Sequence, residues 1–247
     1  MSVYSGPTTW WGESGINDAA RIFASTKLVV QSGLVLNLDA GASTSYPGSG
    51  TTWTDLSGLG NNGTLTNGPT YSSANGGSIL FDGTNDYMSA TISCNRTYYS
   101  IDWWTRPTAV SNYDQMILMN SSGAAGNYWN GFTTHTNSSG TLNIGTNLGN
   151  YFAIGGAPLV NGVWHNFTWT FNNGDARVYK NGVQIQQGTI SAHSADYTLL
   201  QIGAGPGFGE STLFDGNCPS LKLYSNKVLT AAEVRQNFNA LRGRFGI

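Results

Sequence analysis

Apolar and polar residues alternate over Leu34-Val35-Leu36-Asn37-Leu38-Asp39, so that Leu34, Leu36 and Leu38 share one face and Val35, Asn37 and Asp39 the other. A period of two is the mark of a half-buried strand. Tyr99 to Trp104 repeats the pattern, and His165-Asn166-Phe167-Thr168-Trp169-Thr170-Phe171 carries it furthest, with His165, Phe167, Trp169 and Phe171 on one face. Turn chemistry agrees: Asn172-Asn173-Gly174-Asp175 closes one hairpin, and Asn181-Gly182 is a type I′ signal that predicts pairing of Lys180 with Val183 and of Val178 with Ile185. A three-strand antiparallel meander is therefore expected between Val163 and Gln187.

One helix is predicted, near the C-terminus, over residues 231–241. Thr230 is a fitting N-cap because Glu233 lies three residues on, while Leu229 and Val234 occupy the positions of a hydrophobic staple. Val234, Phe238 and Leu241 fall on one face, with Gly243 as the expected left-handed C-terminal cap and the edge of the sandwich as the expected docking place. Residues 1–32 lack the strand alternation and read as an arm ahead of a domain spanning 33–247. In the arm, Trp10, Trp11, Ile22 and Phe23 are the candidate residues for docking on a partner chain, and residues 1–30 are expected to stay off the domain's core.

Composition sharpens this picture. In a chain of 247 residues only 10% are charged, while 33 are Gly and 12% aromatic, the profile of many short strands joined by tight turns and not of a coiled coil or a disordered charged tail. The formal net charge of −2, with 11 Lys and Arg residues scattered singly, provides no basic stripe for nucleic acid or an anionic membrane surface. The opening Met-Ser-Val-Tyr-Ser-Gly-Pro has neither a charged n-region nor an apolar h-region, so neither Sec export nor membrane insertion is expected. Two cysteines, Cys94 and Cys218, are expected to be isolated thiols, since a metal site built on cysteine requires a cluster.

An ordered set of motifs resembles a known family. Gly33-Leu34-Val35-Leu36-Asn37-Leu38-Asp39-Ala40, Trp53-Thr54-Asp55-Leu56-Ser57-Gly58 with Asn61-Asn62-Gly63-Thr64-Leu65, and Phe81 to Tyr87 are similar to the first third of a laminin-G-like, concanavalin A-like jelly roll. Tyr99 to Pro107, Gly162-Val163-Trp164-His165, Val178 to Val183 and Leu223 to Glu233 continue the match in order, over about residues 33–242. The resemblance implies an all-β fold: an antiparallel two-sheet β-sandwich with an N-terminal arm and one short C-terminal helix. The opening wording, together with Leu229 to Glu233 and Gly243 to Ile247, looks most like virion proteins of tailed bacteriophages, notably cyanophages. Two departures stand out: Phe214-Asp215-Gly216-Asn217-Cys218-Pro219-Ser220 replaces an acidic residue often found entering the closing strand, and Leu59 replaces a polar residue between Gly58 and Gly60.

Sandwiches of this shape host glycoside hydrolysis when two carboxylates face each other across a cleft. The glutamates here, Glu13, Glu210 and Glu233, lie in the arm, in a Gly/Pro loop and in the capping box, so no hydrolase activity and no cofactor are expected. Asp82-Gly83-Thr84-Asn85-Asp86 offers carboxylates to calcium, but Asp and Asn beside Gly form Asx-turns without an ion, and no metal is assigned. His135, His165 and His193 are too far apart in sequence to suggest a ligand set, and His165 on an aromatic face reads as a core histidine. Asn127-Tyr128-Trp129-Asn130, flanked by Gly126 and Gly131, is the candidate glycan-binding loop; the competing reading has Trp129 opening a strand and facing the core.

Two function classes follow. The first is a non-enzymatic virion structural protein, a capsid decoration or a tail or fibre component, held on the particle as a homo-oligomer by arm contacts with other virion proteins. The second is an adhesin that recognises a host surface glycan.

Overall fold

The computed structural model describes residues 28–110, 115–121, 131–136, 141–147, 150–154, 159–192, 195–203 and 213–247. They form two antiparallel sheets and one helix. In chain order the strands are β1 (Leu34–Asp39), β2 (Thr52–Trp53), β3 (Gly63–Thr66), β4 (Thr70–Ser72), β5 (Ser78–Asp82), β6 (Tyr87–Cys94), β7 (Tyr98–Pro107), β8 (Gln115–Asn120) and β9 (Gly131–Thr136). They continue with β10 (Leu142–Asn147), β11 (Asn150–Ile154), β12 (His165–Asn172), β13 (Asp175–Lys180), β14 (Val183–Thr189), β15 (Tyr197–Ile202), β16 (Asp215–Cys218) and β17 (Ser220–Ser225), before α1 (Ala231–Phe245).

Sheet 1 runs β14-β13-β12-β7-β16-β5-β4, with β17 between β7 and β1. Sheet 2 runs β11-β10-β9-β8-β15-β6-β3-β2. Large rings from both sheets, including Trp53, Tyr99, Trp103, Phe132, Phe167, Trp169 and Phe171, fill one core. Their edge-on and tilted contacts, such as Tyr99 against Phe132 at 6.2 Å, are favourable aromatic geometries. Cys94 and Cys218 are both buried and unpaired, the expected state; burial pushes the Cys218 thiol up to about 12.

The predicted meander is present, and both hairpin turns place Asn and Gly at positive φ: Asn173 45° and Gly174 106°, Asn181 50° and Gly182 76°. Lys180 pairs with Val183 as expected, but Val178 pairs with Gln186 instead of Ile185 because a bulge inserts one extra residue into β14. Alternation on β7 and β12 proves incomplete as a guide to exposure. Ser100, Asp102 and Trp104, and Asn166, Thr168 and Thr170, point away from the core yet are buried.

The reason is α1, which packs across the outer face of sheet 1 and not at the sandwich edge. Trp104 stacks on Phe238 at 5.6 Å and meets Phe245 at 4.3 Å, while Trp164, Leu241 and Phe245 complete that cluster. The capping box and the buried Leu229 and Val234 are as predicted, but α1 runs on to Phe245 and is capped by Gly246 at φ 71°. Gly243 lies inside the helix, which continues because Phe245 still finds Trp104 and Trp164 to bury against.

The end of the expected arm also joins this layer. Val30 is buried against Leu34, Tyr179, Tyr224, Leu229 and Val234, donates its N–H to Asn237 Oδ1 at 2.9 Å and accepts from Tyr224 Oη at 3.1 Å. Val30 thus stays out of the main core, as expected, yet joins a satellite cluster of the domain, where its side chain completes an apolar group that α1 and β17 leave open. Trp10, Trp11, Ile22 and Phe23 lie outside the described residues.

Candidate binding face

With α1 laid over sheet 1, the outer face of sheet 2 is the one that no helix covers among the described residues. Strand register brings one cross-strand row onto that face: Thr64 of β3, Ser89 of β6, Gln201 of β15, Leu118 of β8, Thr133 of β9, Gly145 of β10 and Tyr151 of β11. Their sequence neighbours Leu65, Met88, Leu200, Met119, Phe132 and Ile144 point into the core, which settles the side. A second row joins Thr91, Leu199, Asn120 and Gly131. No carboxylate stands in either row, and hydroxyls and amides dominate.

At the β3 end this face opens into a depression of about 460 Å³ lined by Gly60, Asn61, Asn62, Thr64, Ser89, Thr91 and Leu199. One wall is the 55–62 loop, and Asp55 is why it holds its shape. Its Oδ1 accepts from the N–H groups of Asn37 and Ser57 at 2.9 and 2.8 Å, and its Oδ2 from Asn61 N–H at 3.0 Å and Ser57 Oγ at 2.7 Å. Asn62 Oδ1 accepts in turn from Asp55 N–H, and Asn61 Nδ2 donates to the Val35 carbonyl at 2.7 Å. A carboxylate that accepts several backbone N–H bonds fixes a loop without help from an ion. Leu56 and Leu59 are exposed at the tip of this wall.

Toward β9 and β10 the face is polar but buried. Asn143 Nδ2 stands 3.2 Å from His135 Nε2, and the His135 ring meets Tyr151 edge-on at 5.7 Å, above Gly145, which contributes no side chain. Burial lowers the His135 pKa, so the ring is neutral at pH 7. Asn143 is 2% exposed and its Oδ1 accepts no hydrogen bond; Asn120 Oδ1 is likewise buried and unpartnered. Such oxygens are costly to leave unmade.

The other candidates resolve differently. Asn127, Tyr128, Trp129 and Asn130 fall between β8 and β9 in sequence and lie outside the described residues, as do His193, Glu13 and Glu210. Asp82 Oδ1 accepts from Thr84 and Asn85 N–H at 2.8 and 3.3 Å, and Asp86 Oδ2 from Asp82 N–H at 3.2 Å, the Asx-turn that the sequence predicts. Among the described residues no three His, Cys, Asp or Glu side chains gather as a metal site. His165 is buried and accepts from Val160 N–H at 3.2 Å; burial, assisted by Lys180, brings its pKa down to about 4.

Sequence reasoning missed the His135–Asn143–Tyr151 group. Alternation of Leu142 and Ile144 with Asn143 and Gly145 carries the signal for a half-polar strand there, but only cross-strand register shows that His135 and Asn143 are opposite each other. Among the described residues no helix is long and apolar enough to cross a membrane.

Residues 82–235 match the family model described as the concanavalin A-like lectin/glucanases superfamily. No curated protein sequence matches the chain. Among solved structures, domain 4 of AbnA, a GH43 extracellular arabinanase from Geobacillus stearothermophilus solved with arabinotriose, aligns with a TM-score of 0.62 at 16% identity, over 83% of this chain and 97% of that one. Trypanosoma rangeli sialidase in complex with sialic acid aligns with a TM-score of 0.65 at 13% identity, over 86% of this chain but only 33% of the sialidase. The binding domain of botulinum neurotoxin serotype D gives 0.61 at 14% identity, over 85% of this chain and 52% of that one. At these identities the likeness is one of fold.

Proposed function

The chain belongs to the concanavalin A-like lectin/glucanases superfamily, and on that premise we propose that it is a non-catalytic module that binds a neutral oligosaccharide on the outer face of sheet 2. The observation that carries this is the pair of carboxylate-free rows of hydroxyls and amides, which opens at the β3 end into the Thr64–Ser89–Thr91 depression. Sugar hydroxyls both donate and accept, so they satisfy amides and hydroxyls alike, and Tyr151 and Leu199 supply apolar surface for ring faces. Hydrolysis would require an acid and a base astride the sugar, and neither row provides them. That structural neighbours include an arabinanase domain solved with arabinotriose and a sialidase solved with sialic acid supports a glycan as the ligand class.

The setting we propose is a tailed-phage particle, where the domain serves as a surface decoration or a tail or fibre component, present in several copies and recognising a host glycan. Support for it is the resemblance of the wording from Leu229 to Glu233 and from Gly243 to Ile247 to virion proteins. An array of neutral glycans probed with the full chain tests the binding. Thr91→Arg and Ser89→Arg, each of which fills the depression, are each expected to weaken binding at least tenfold, about 1.4 kcal/mol. Circular dichroism verifies that both variants fold. Binding that both variants retain, or a chain that ignores every glycan, would sink the proposal. Immunogold labelling of purified particles tests the setting separately, and unlabelled particles would refute it whatever the array shows.

A further inference from the structure

Beneath α1, the outer face of sheet 1 gathers reactive groups that glycan binding does not use. Asn37 of β1 lies opposite Lys222 of β17, and Lys222 lies opposite Asp102 of β7. Directly paired residues of antiparallel strands project to the same side, so an amide, an amine and a carboxyl stand in one row with the amine in the middle. Their neighbours Leu36, Leu38, Ile101, Trp103, Leu221 and Leu223 all point into the core, which sets the row on the helix side. Lys222 is 1% exposed and Asp102 0%.

The pair is not a close salt bridge: Lys222 Nζ stands 3.8 Å from Asp102 Oδ1 and donates instead to Ser220 Oγ at 2.8 Å. Asp102 Oδ2 accepts from Thr168 Oγ1 at 2.7 Å and Asn166 Nδ2 at 3.1 Å, which fixes the carboxyl and leaves Oδ1 toward the amine. Asn37 Oδ1 is buried and accepts no hydrogen bond. Two buried charges at this separation recover little of their desolvation cost, whereas proton transfer from the ammonium to the carboxylate removes both charges. Burial lowers the Lys222 pKa against the opposing pull of Asp102, and a desolvated neutral lysine is a nucleophile.

We propose that Lys222 and Asn37 join in an intramolecular isopeptide bond, with Asp102 as the proton-transfer group. The Lys222 ammonium gives a proton to the Asp102 carboxylate, and the Nζ lone pair adds to Cγ of Asn37. Asp102, now a carboxylic acid, donates to the oxygen that gathers negative charge and then relays protons from Nζ to the departing Nδ2. The new bond is Cγ–Nζ, the broken one is Cγ–Nδ2, ammonium leaves, and Asp102 is again a carboxylate. Nothing is oxidised or reduced. The product ties β1 to β17, strands near the two ends of the folded domain, so that a pull on those ends is carried by a covalent link as well as by ladder hydrogen bonds.

Intact-mass measurement on the purified full chain under denaturing conditions tests this. We expect a mass about 17 Da below that of the sequence, the loss of one ammonia, and a branched peptide joining the Asn37 and Lys222 segments after proteolysis. Lys222→Met and Asp102→Asn should each abolish the branched peptide and the loss. If either fails to fold, Asn37→Asp keeps the side-chain shape and should shift the loss to about 18 Da, since water then departs. A wild-type chain at full mass after prolonged incubation overturns the proposal. So does a loss of about 17 Da that survives Lys222→Met, which would mark a succinimide at an Asn-Gly turn, or a loss of about 18 Da mapped to Lys222 and Asp102.

Discussion

His165 sits with its ring against Phe167 at 6.1 Å, with the Val160 N–H directed at Nε2 and Nδ1 unpartnered, an environment built for the neutral form. Its pKa of about 4 in the folded chain lies below the ordinary value of 6.5, so between those pH values the unfolded chain binds more protons. Stability is therefore expected to be full above pH 6.5 and to fall as the pH drops toward 4, by on the order of 3 kcal/mol for this residue. His165→Gln, which retains an acceptor for Val160, should flatten most of that slope in urea melts at stepped pH, leaving a remainder of the same sign from His135. An unchanged slope in the variant would show that other groups control the acid limb. The Asp82–Asp86 turn makes a second residue-scale prediction: its carboxylate oxygens already accept backbone N–H groups, so chelator should leave the melting temperature within error.

Among the elements, α1 binds mainly through its aromatic stripe and less through its cap. Thr230 Oγ1 accepts from Glu233 N–H at 3.2 Å and Glu233 Oε2 from Thr230 N–H at 2.8 Å, and Thr230→Ala is expected to cost about 1 kcal/mol. Phe245 lies 4.3 Å from the Trp104 ring and 4.6 Å from Trp164, so Phe245→Ala should cost about 3 kcal/mol and uncover the polar row beneath. Chemical denaturation of the two variants tests the ranking, and a cap loss equal to the ring loss would contradict it. Gly182 links the helix to the meander: φ is 76°, and an added Cβ would meet Phe238 at 3.0 Å. Gly182→Ala is thus expected to destabilise by about 1–2 kcal/mol, from turn strain and displaced packing together.

For the molecule as a whole, charge is sparse and the candidate face has none in its two rows. Glycan binding should therefore be nearly independent of ionic strength, with Kd unchanged within about a factor of two from 0.05 to 0.5 M NaCl by titration calorimetry. A steep salt dependence would point to a charged ligand and away from the sheet 2 rows.

What local pattern determined was considerable. Alternation located β1, β7 and β12, Asn-Gly turns located two hairpins, and Thr230 with Glu233 located the start of α1, because each depends on residues within a few positions of one another. Tertiary structure alone decided which sheet face the helix covers. Asp102, Lys222, Asn166 and Thr168 have the spacing of solvent-facing strand positions, and only the packing of Phe238 and Phe245 on Trp104 makes them interior. That same choice leaves the outer face of sheet 2 without a helix over it and sets Asn37, Lys222 and Asp102 side by side from three strands distant in sequence. Neither outcome is encoded in a local period, because both depend on burying apolar area between elements that the chain brings together only when it closes on itself.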